Sequence, residues 1–273
     1  MPPLLRSRRL RILLGLLLAA ALWVLAGLPD HPSGAPVSGT LRVAASNLYL
    51  RNPSPNEATQ ALIALRPDLL LVTELTPRNA VRATLHAAGL AVVVDAPEDN
   101  ARGIGLWARA GLDAQAEVRA PPWEGPCEAR VLVARVASAA GPFAFIGAHT
   151  PPPIEKCQDT NALAAAALAR WIVDGALAKN LGPARAGDPV VLAGDLNALP
   201  VYPQILRLHA TGLWDVLLGD LRPHPTWPAH GPGFAAGRID YVWAPRGWAV
   251  DDRGTTHAPG SDHLAVWADL QPG

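Results

Sequence analysis

From Leu41 onward the chain is a series of short aliphatic runs separated by polar, Pro or Gly residues. "LRVAAS" (41–46), "PDLLLVTEL" (67–75) and "PVVLAG" (189–194) are nearly continuous apolar runs of strand length, which marks strands covered on both faces. Ser54 and Glu57 have the spacing of a capping box, with Pro55 in the first turn, and predict a helix ending near Arg66. Thr76 predicts the cap of a second helix, "PRNAVRATLHAAG", closed by Gly89. Strands are expected near 90–95, 102–109 and 113–119, then a hairpin of 128–137 and 143–149 around "SAAGP". The Ala- and Leu-rich residues 159–180 predict the longest helix, and 201–210 a shorter one. "GRIDYVWAP" (237–245) and "DHLAVWADL" (262–270) read as late strands. With no internal repeat and no second boundary, 40–273 reads as one α+β domain. Its mixed strands and interleaved helices point to two sheets covered by helices rather than to a doubly wound sheet.

The pattern changes before Leu41. Ile12 to Leu28 is 17 residues without a charge, preceded by "RSRRLR" and followed by the linker "PDHPSGAPVSG" (29–39). This predicts a basic cytoplasmic flank (1–11) and a transmembrane signal-anchor (12–28). As a helix the run spans roughly 25 Å, a little under a hydrocarbon core of about 30 Å, and Arg11 can snorkel across the difference. A cleavable signal peptide is the competing reading, but the run is long for one, and "VLAG" and "SGAP" are weak cleavage sites. On either reading the basic flank stays inside and the domain is exported, membrane-bound if the segment is kept and secreted if it is cut.

Charge and cysteines refine this picture. Formal net charge is zero, but four of the 23 basic residues lie in the first 28 positions, leaving 19 against 23 acidic residues in the rest. A domain built to grip a polyphosphate backbone is usually basic, so nucleic acid is not the favoured partner. The hairpin brings Cys127 near Cys157. A disulfide is expected in an oxidising compartment, with two unpaired thiols as the alternative.

Polar residues close the apolar runs. Asn47, Glu74, His149, and Asp195 with Asn197 stand at strand ends, Asp240 sits in "RIDYVW", and Asp262–His263 opens the last strand. Singly, an Asx turn or a structural histidine explains each of them. Together, one Glu, three Asp, two Asn and two His along one edge require a cation or a proton shuttle. Such hard oxygen donors suit Mg²⁺ or Mn²⁺. Zinc spacings are absent, and "DLNALP" lacks the third oxygen ligand and the Gly of an EF-hand. Alternation in "VVLAGDLNALP" puts Asp195 and Asn197 on one face with Leu196 behind them.

In this order, Asn47, "VTEL", "GAHT", "GDLN", "RIDYV" and "SDH" resemble the endonuclease/exonuclease/phosphatase superfamily, typified by deoxyribonuclease I and shared with sphingomyelinases and inositol-polyphosphate phosphatases. "HTPPP" and the Arg-rich anchor look most like membrane-tethered bacterial members, some of them linked to glycopeptide resistance and polyprenyl-pyrophosphate hydrolysis. The resemblance implies a β-sandwich flanked by helices (four layers, α/β/β/α) that cuts phosphate esters with a divalent metal. It makes Glu74 the principal metal ligand, with Asn47 and Asp262 completing or adjoining the site. His263 becomes a general base or phosphate contact oriented by Asp240. Asp195 positions or deprotonates the attacking water, Asn197 donates to a phosphoryl oxygen, and His149 offers a second donor. Trp227, in "PTWP", and Arg238 are candidate substrate contacts, although packing under a Pro-rich loop also explains Trp227. The expected function is an exported, membrane-anchored phosphoesterase acting on a phosphodiester or pyrophosphate, with lipid-linked substrates in view. The competing readings are an extracytoplasmic nuclease and a catalytically silent binding domain on the same fold.

Overall fold

The structure is a computed structural model that describes residues 12–18, 34, 36, 38–79, 81–120, 123, 127, 130–139, 141–173, 183–185, 187–219, 224–229 and 237–273. In chain order its elements are β1 (Leu41–Asn47), α1 (Pro55–Ala64), β2 (Leu69–Thr73), α2 (Arg82–Ala87), β3 (Leu90–Ala96), β4 (Ile104–Arg109), β5 (Asp113–Arg119), β6 (Arg130–Ser138) and β7 (Gly141–His149). They continue with α3 (Gln158–Val173), β8 (Val190–Asp195), α4 (Pro203–His209), β9 (Leu213–Asp215), β10 (Asp240–Pro245), β11 (Ala249–His257) and β12 (Leu264–Gln271).

The strands form two six-stranded sheets, ordered β11-β12-β1-β2-β4-β3 and β5-β6-β7-β8-β10-β9. Each is antiparallel except for one parallel pair near its middle, β1 with β2 and β7 with β8. The apolar runs are continuous because the inner strands are covered twice. Val43, Leu71, Val191 and Ala193 point into the core between the sheets. Ala44, Leu70 and Val72 pack outward beneath α1 and α2, while Val190 and Leu192 pack beneath α3 and α4. This is the expected helix–sheet–sheet–helix layering.

Several local expectations change. Ser54 does precede α1, but its side chain makes no capping hydrogen bond; instead its backbone N–H donates to Asn52 Oδ1 at 2.7 Å. The predicted second helix divides into a 3-10 turn, Pro77–Asn79, and the short α2. Thr76 Oγ1 accepts from the Asn79 N–H at 3.3 Å in that turn. β9 and β11 are additional strands, and β10 begins at Asp240 rather than at Gly237. The long helix is described only to Val173. Residues 12–18 are helical, and no helix among the described residues is long and apolar enough to cross a membrane. The rest of the predicted anchor lies outside the described residues.

Cys127 and Cys157 form a disulfide across a separation of 30 residues, with Cα atoms 5.5 Å apart. Cross-linking a loop of that length typically stabilises by about 3 kcal/mol. Cys127→Ser is therefore expected to lower the unfolding free energy of the full chain by about that amount in urea titrations followed by circular dichroism.

Candidate active site

The register of the strands gathers the polar residues. Asp195 ends β8 between His149 of β7 and Asp240 of β10, each directly opposite it. In the other sheet Asn47 ends β1 opposite Thr73, the last residue of β2, and His263 immediately precedes β12. The ends of both sheets meet there, and Asn47 Nδ2 crosses between them, donating to Glu74 Oε1 at 3.0 Å and Asp195 Oδ2 at 3.1 Å.

Local backbone shape sets these positions. Glu74 lies just past β2 in the left-handed region, φ 53°, where its Oε2 accepts from the Leu50 N–H at 2.7 Å. Gly194, with φ 128°, is required by a close approach: a Cβ there would fall 2.0 Å from the Ala148 carbonyl oxygen. Asn197 is beyond the strand with φ 46°, so alternation is not what aims it. An Asx turn does so: its N–H donates to Asp195 Oδ1 at 2.8 Å, and its Nδ2 donates to the Thr150 carbonyl at 2.8 Å. Leu196 is fully buried behind them, as expected.

Two histidines face this floor. His149 Nδ1 lies 2.9 Å from the Ala101 carbonyl, which only accepts, so Nδ1 carries the proton. Its Nε2 is 3.6 Å from Asp195 Oδ2. His263 Nδ1 bonds Asp240 Oδ2 at 2.9 Å and lies 3.9 Å from Asp195 Oδ2. Burial works against the His263 imidazolium, but Asp240 and Asp195 together outweigh it and raise the ring to about 10. Burial, and then the Asp240 carboxylate, raise the Asp195 carboxyl above its ordinary range, against the pull of both histidines.

Ligand atoms converge in two places. Asp195, Asp240 and His263 each offer one within 4.8 Å of the others. There the His263 ring is already hydrogen-bonded to Asp240 through Nδ1 at 2.9 Å. At the second place, Glu74 and Asp195 both accept from the Asn47 Nδ2, while the Asn47 Oδ1 accepts from the Tyr49 N–H at 2.9 Å, so the amide spaces the two carboxylates without neutralising them. Two carboxylates aimed at one point among hard oxygen donors fit a Mg²⁺-type ion. Asp262 lies farther out and accepts from Trp227 Nε1 at 3.3 Å.

Of the two candidate substrate contacts, Trp227 lines a cavity of about 500 Å³ above the floor, together with Glu74, His149, Asp195, Asn197 and His263. Arg238 does not line it. Its side chain is buried and paired with Asp215, and its guanidinium stacks 5.4 Å from the Tyr241 ring, so its role here is structural.

Three buried side chains that sequence reasoning did not single out hold the site together. Ser261 Oγ donates to the Asn47 carbonyl at 2.6 Å and accepts from the His263 N–H at 3.0 Å. Thr226 Oγ1 accepts from the Asp240 N–H at 3.2 Å. Asn161 Nδ2 reaches the carbonyls of Pro151 at 2.8 Å, Leu196 at 3.1 Å and Asn197 at 3.3 Å, joining the two loops of the site. Ser261 stands inside "SDH", but Asn161 lies within a helix and carries no strand-end signal.

Comparison with known proteins agrees with this fold. No curated protein matches the chain. Among solved structures, zebrafish TDP2 complexed with a single-strand DNA product is 16% identical, with TM-score 0.67, over 85% of this chain and 99% of that one. The human nocturnin catalytic domain with bound sulfate is 15% identical, with TM-score 0.64, over 86% and 96%. A mannosyl-6-phosphatase of Bacteroides thetaiotaomicron is 16% identical, with TM-score 0.62, over 84% and 99%. At these identities what is shared is the fold. The model of the endonuclease/exonuclease/phosphatase family matches residues 44–263, a span that runs from within β1 through His263, and the chain belongs to that family.

Proposed function

We propose that this protein is an exported, membrane-anchored, metal-dependent phosphoesterase that hydrolyses a phosphodiester or pyrophosphate, lipid-linked substrates included. The observation that carries the reading is the convergence of Glu74 and Asp195 on one point beside the Asp240–His263 pair. The charge-free stretch after a basic flank and the disulfide support export.

Glu74, with Asp195 facing it, would hold Mg²⁺ or Mn²⁺; Asn47, whose Oδ1 accepts from the Tyr49 N–H, sets the two carboxylates in place. When bound, such an ion neutralises charge developing on the phosphoryl oxygens and lowers the pKa of water. The chain's own groups do the rest. The buried Asp195 carboxylate orients the attacking water and takes up its proton. Asn197, fixed by its Asx turn, retains a second amide N–H for a non-bridging oxygen. His263, held through Nδ1 by Asp240, presents Nε2 to the phosphate. His149, with Nδ1 spent on Ala101, presents Nε2 from the opposite side of Asp195. Donors fixed before the reaction stabilise a developing oxyanion better than water does.

A second reading, an extracytoplasmic nuclease, is favoured by the fold shared with TDP2, seen with single-strand DNA product. The acidic balance outside the first 28 residues opposes it. The test is a screen of the purified full chain on polyprenyl pyrophosphate, sphingomyelin, single-stranded DNA and plasmid, with Mg²⁺ and with EDTA. Metal-dependent release of phosphate or a phosphomonoester from the lipid substrates is expected, with DNA cleaved poorly at low salt. Preferential DNA cleavage selects the nuclease, and no metal-dependent turnover on any substrate removes both readings.

A further inference from the structure

The cavity lining combines polar and apolar residues, and their order follows the chain. Three neighbouring strands of one sheet, β7, β8 and β10, each bear a catalytic candidate at the same edge, and the loop attached to each continues in apolar residues. After His149 come Thr150 and the ridge Pro151–Ile154. After Asn197 come Leu199 and Tyr202, and Ile239 precedes Asp240. All of them line the cavity, as does Trp227. The other sheet supplies Glu74 and His263 to the lining. None of the described lining residues is Lys or Arg.

The apolar wall runs out to the surface. Ile154 is 60% exposed and Trp227 43%, while Val201 and Leu206, which flank Tyr202 on the same segment, are 75% and 55% exposed. Leu206 sits one helical turn beyond Tyr202, its N–H donating to the Tyr202 carbonyl at 3.1 Å. Outside the helix at 12–18, seven large hydrophobic side chains among the described residues are exposed, and these are four of them. Ile154 and Trp227 are exposed apolar side chains in the lining of one cavity, and such grouping, rather than single scattered residues, marks a surface that is covered in use.

The wall is also fixed in place. Asn161 clamps Pro151 and the Asn197 loop, and Gln204 Nε2 orients Asn161 by donating to its Oδ1 at 2.9 Å. The Cys157 N–H donates to the Ile154 carbonyl at 2.9 Å, so the disulfide anchors the far end of the ridge. A preformed wall of this kind binds without an ordering cost.

We propose that the wall formed by Pro151–Ile154, Leu199, Tyr202, Trp227 and Ile239 is a subsite for a hydrocarbon group carried on the scissile phosphate. The proposal rests on the phosphoesterase reading and adds which side of the phosphate is apolar: the side over the ends of β7, β8 and β10. A polynucleotide does not suit this surface. It would bring phosphates against a wall without a cation, whereas strand-binding grooves pair positive charge with stacked aromatics.

The test uses the full chain in lipid nanodiscs with Mg²⁺ and a series of 4-nitrophenyl alkyl phosphates, methyl to octyl. Water adds to phosphorus, the bond to the nitrophenyl oxygen breaks, and 4-nitrophenolate, alkyl phosphate and a proton leave. Each methylene that reaches the wall is expected to raise kcat/KM about threefold to fourfold, the equivalent of about 0.8 kcal/mol per buried methylene. The combined substitution Ile154→Ser and Leu199→Asn is expected to flatten that slope. A flat series in the unsubstituted chain overturns the subsite and leaves the phosphoesterase standing. An unchanged slope in the substituted chain also overturns it, because partition of the substrate into lipid would then explain the trend. Inhibition of the unsubstituted chain by non-hydrolysable alkyl phosphonates gives the same answer without any variant: it strengthens with chain length if the subsite exists, and inhibition independent of chain length overturns it. No turnover of any member, with no metal-dependent turnover of polyprenyl pyrophosphate or sphingomyelin either, removes the reaction and the subsite together.

Discussion

His263→Asn lowers kcat for phosphoester hydrolysis by at least about a hundredfold, the lower end of what a fixed donor to a developing oxyanion contributes. The ring lines the cavity, and its Nδ1 is committed to Asp240 at 2.9 Å, so Nε2 is the atom left for the phosphate. Asparagine keeps a donor but loses the charge. In the metal-free chain that charge persists well above neutrality, because Asp240 and Asp195 outweigh burial and hold the ring near 10. The linkage sign follows from a folded pKa above the ordinary value of about 6.5. The stability this group contributes is complete below about pH 6.5 and is lost as pH rises toward 10. His263→Asn is therefore expected to flatten the alkaline fall in stability of the metal-free protein as well as to cut turnover. Steady-state kinetics at saturating Mg²⁺ and urea titrations at pH 6 and pH 9 measure the two effects. A loss of kcat below about tenfold contradicts the assigned role.

Asp269→Ala destabilises the fold by about 3–5 kcal/mol, the usual consequence of removing one partner from a buried ion pair. Arg42 and Asp269 face each other across β1 and β12. The Arg42 side chain is 1% exposed and donates through Nε and Nη2 to the two Asp269 oxygens, both at 2.6 Å. Its Nη1 donates to the Leu65 carbonyl at 2.7 Å, fastening the end of α1, and the guanidinium lies 5.1 Å over the Trp267 ring. Without Asp269 the arginine keeps its charge and its burial but loses its counter-ion. β1 also carries Asn47, and β12 follows His263, so the site is expected to loosen with the strands. Chemical denaturation of the full chain reads the effect, and a change under about 1 kcal/mol contradicts it.

The strands nearest the site were the most legible in the sequence. β1, β2 and β8 are buried on both faces, so their polar terminal residues stood out against uninterrupted apolar runs, and those residues form the floor. Elements whose stability comes from distant partners were not legible. β11, "AVDDRGTTH", is an edge strand with polar residues in the middle of its length, and β9 is three residues long. Nothing local marks Arg42 as a buried charge, because its partner is 227 residues away. Arg238 looked available to substrate beside Asp240 because nothing local reveals that Asp215, 23 residues earlier, has taken it. Ser54 kept the spacing of a capping box while Asn52 supplied the hydrogen bond. The apolar wall carries no local signal either: Leu199 and Tyr202 lie far from Ile239 in the chain, and the register of β8 and β10 brings them to one cavity.

The central claim is that Glu74 and its neighbours hold a divalent ion that hydrolysis requires. The most direct measurement follows turnover and Mg²⁺ binding together, by kinetics and titration calorimetry, in the full chain and in Glu74→Gln. Turnover is expected only with Mg²⁺ or Mn²⁺, and is expected to be lost in EDTA and to return on adding the ion back. Glu74→Gln is expected to weaken Mg²⁺ binding and to lower kcat by at least about a hundredfold. Undiminished hydrolysis in EDTA, or a Glu74→Gln protein that binds Mg²⁺ and turns over like the unsubstituted chain, would contradict that claim.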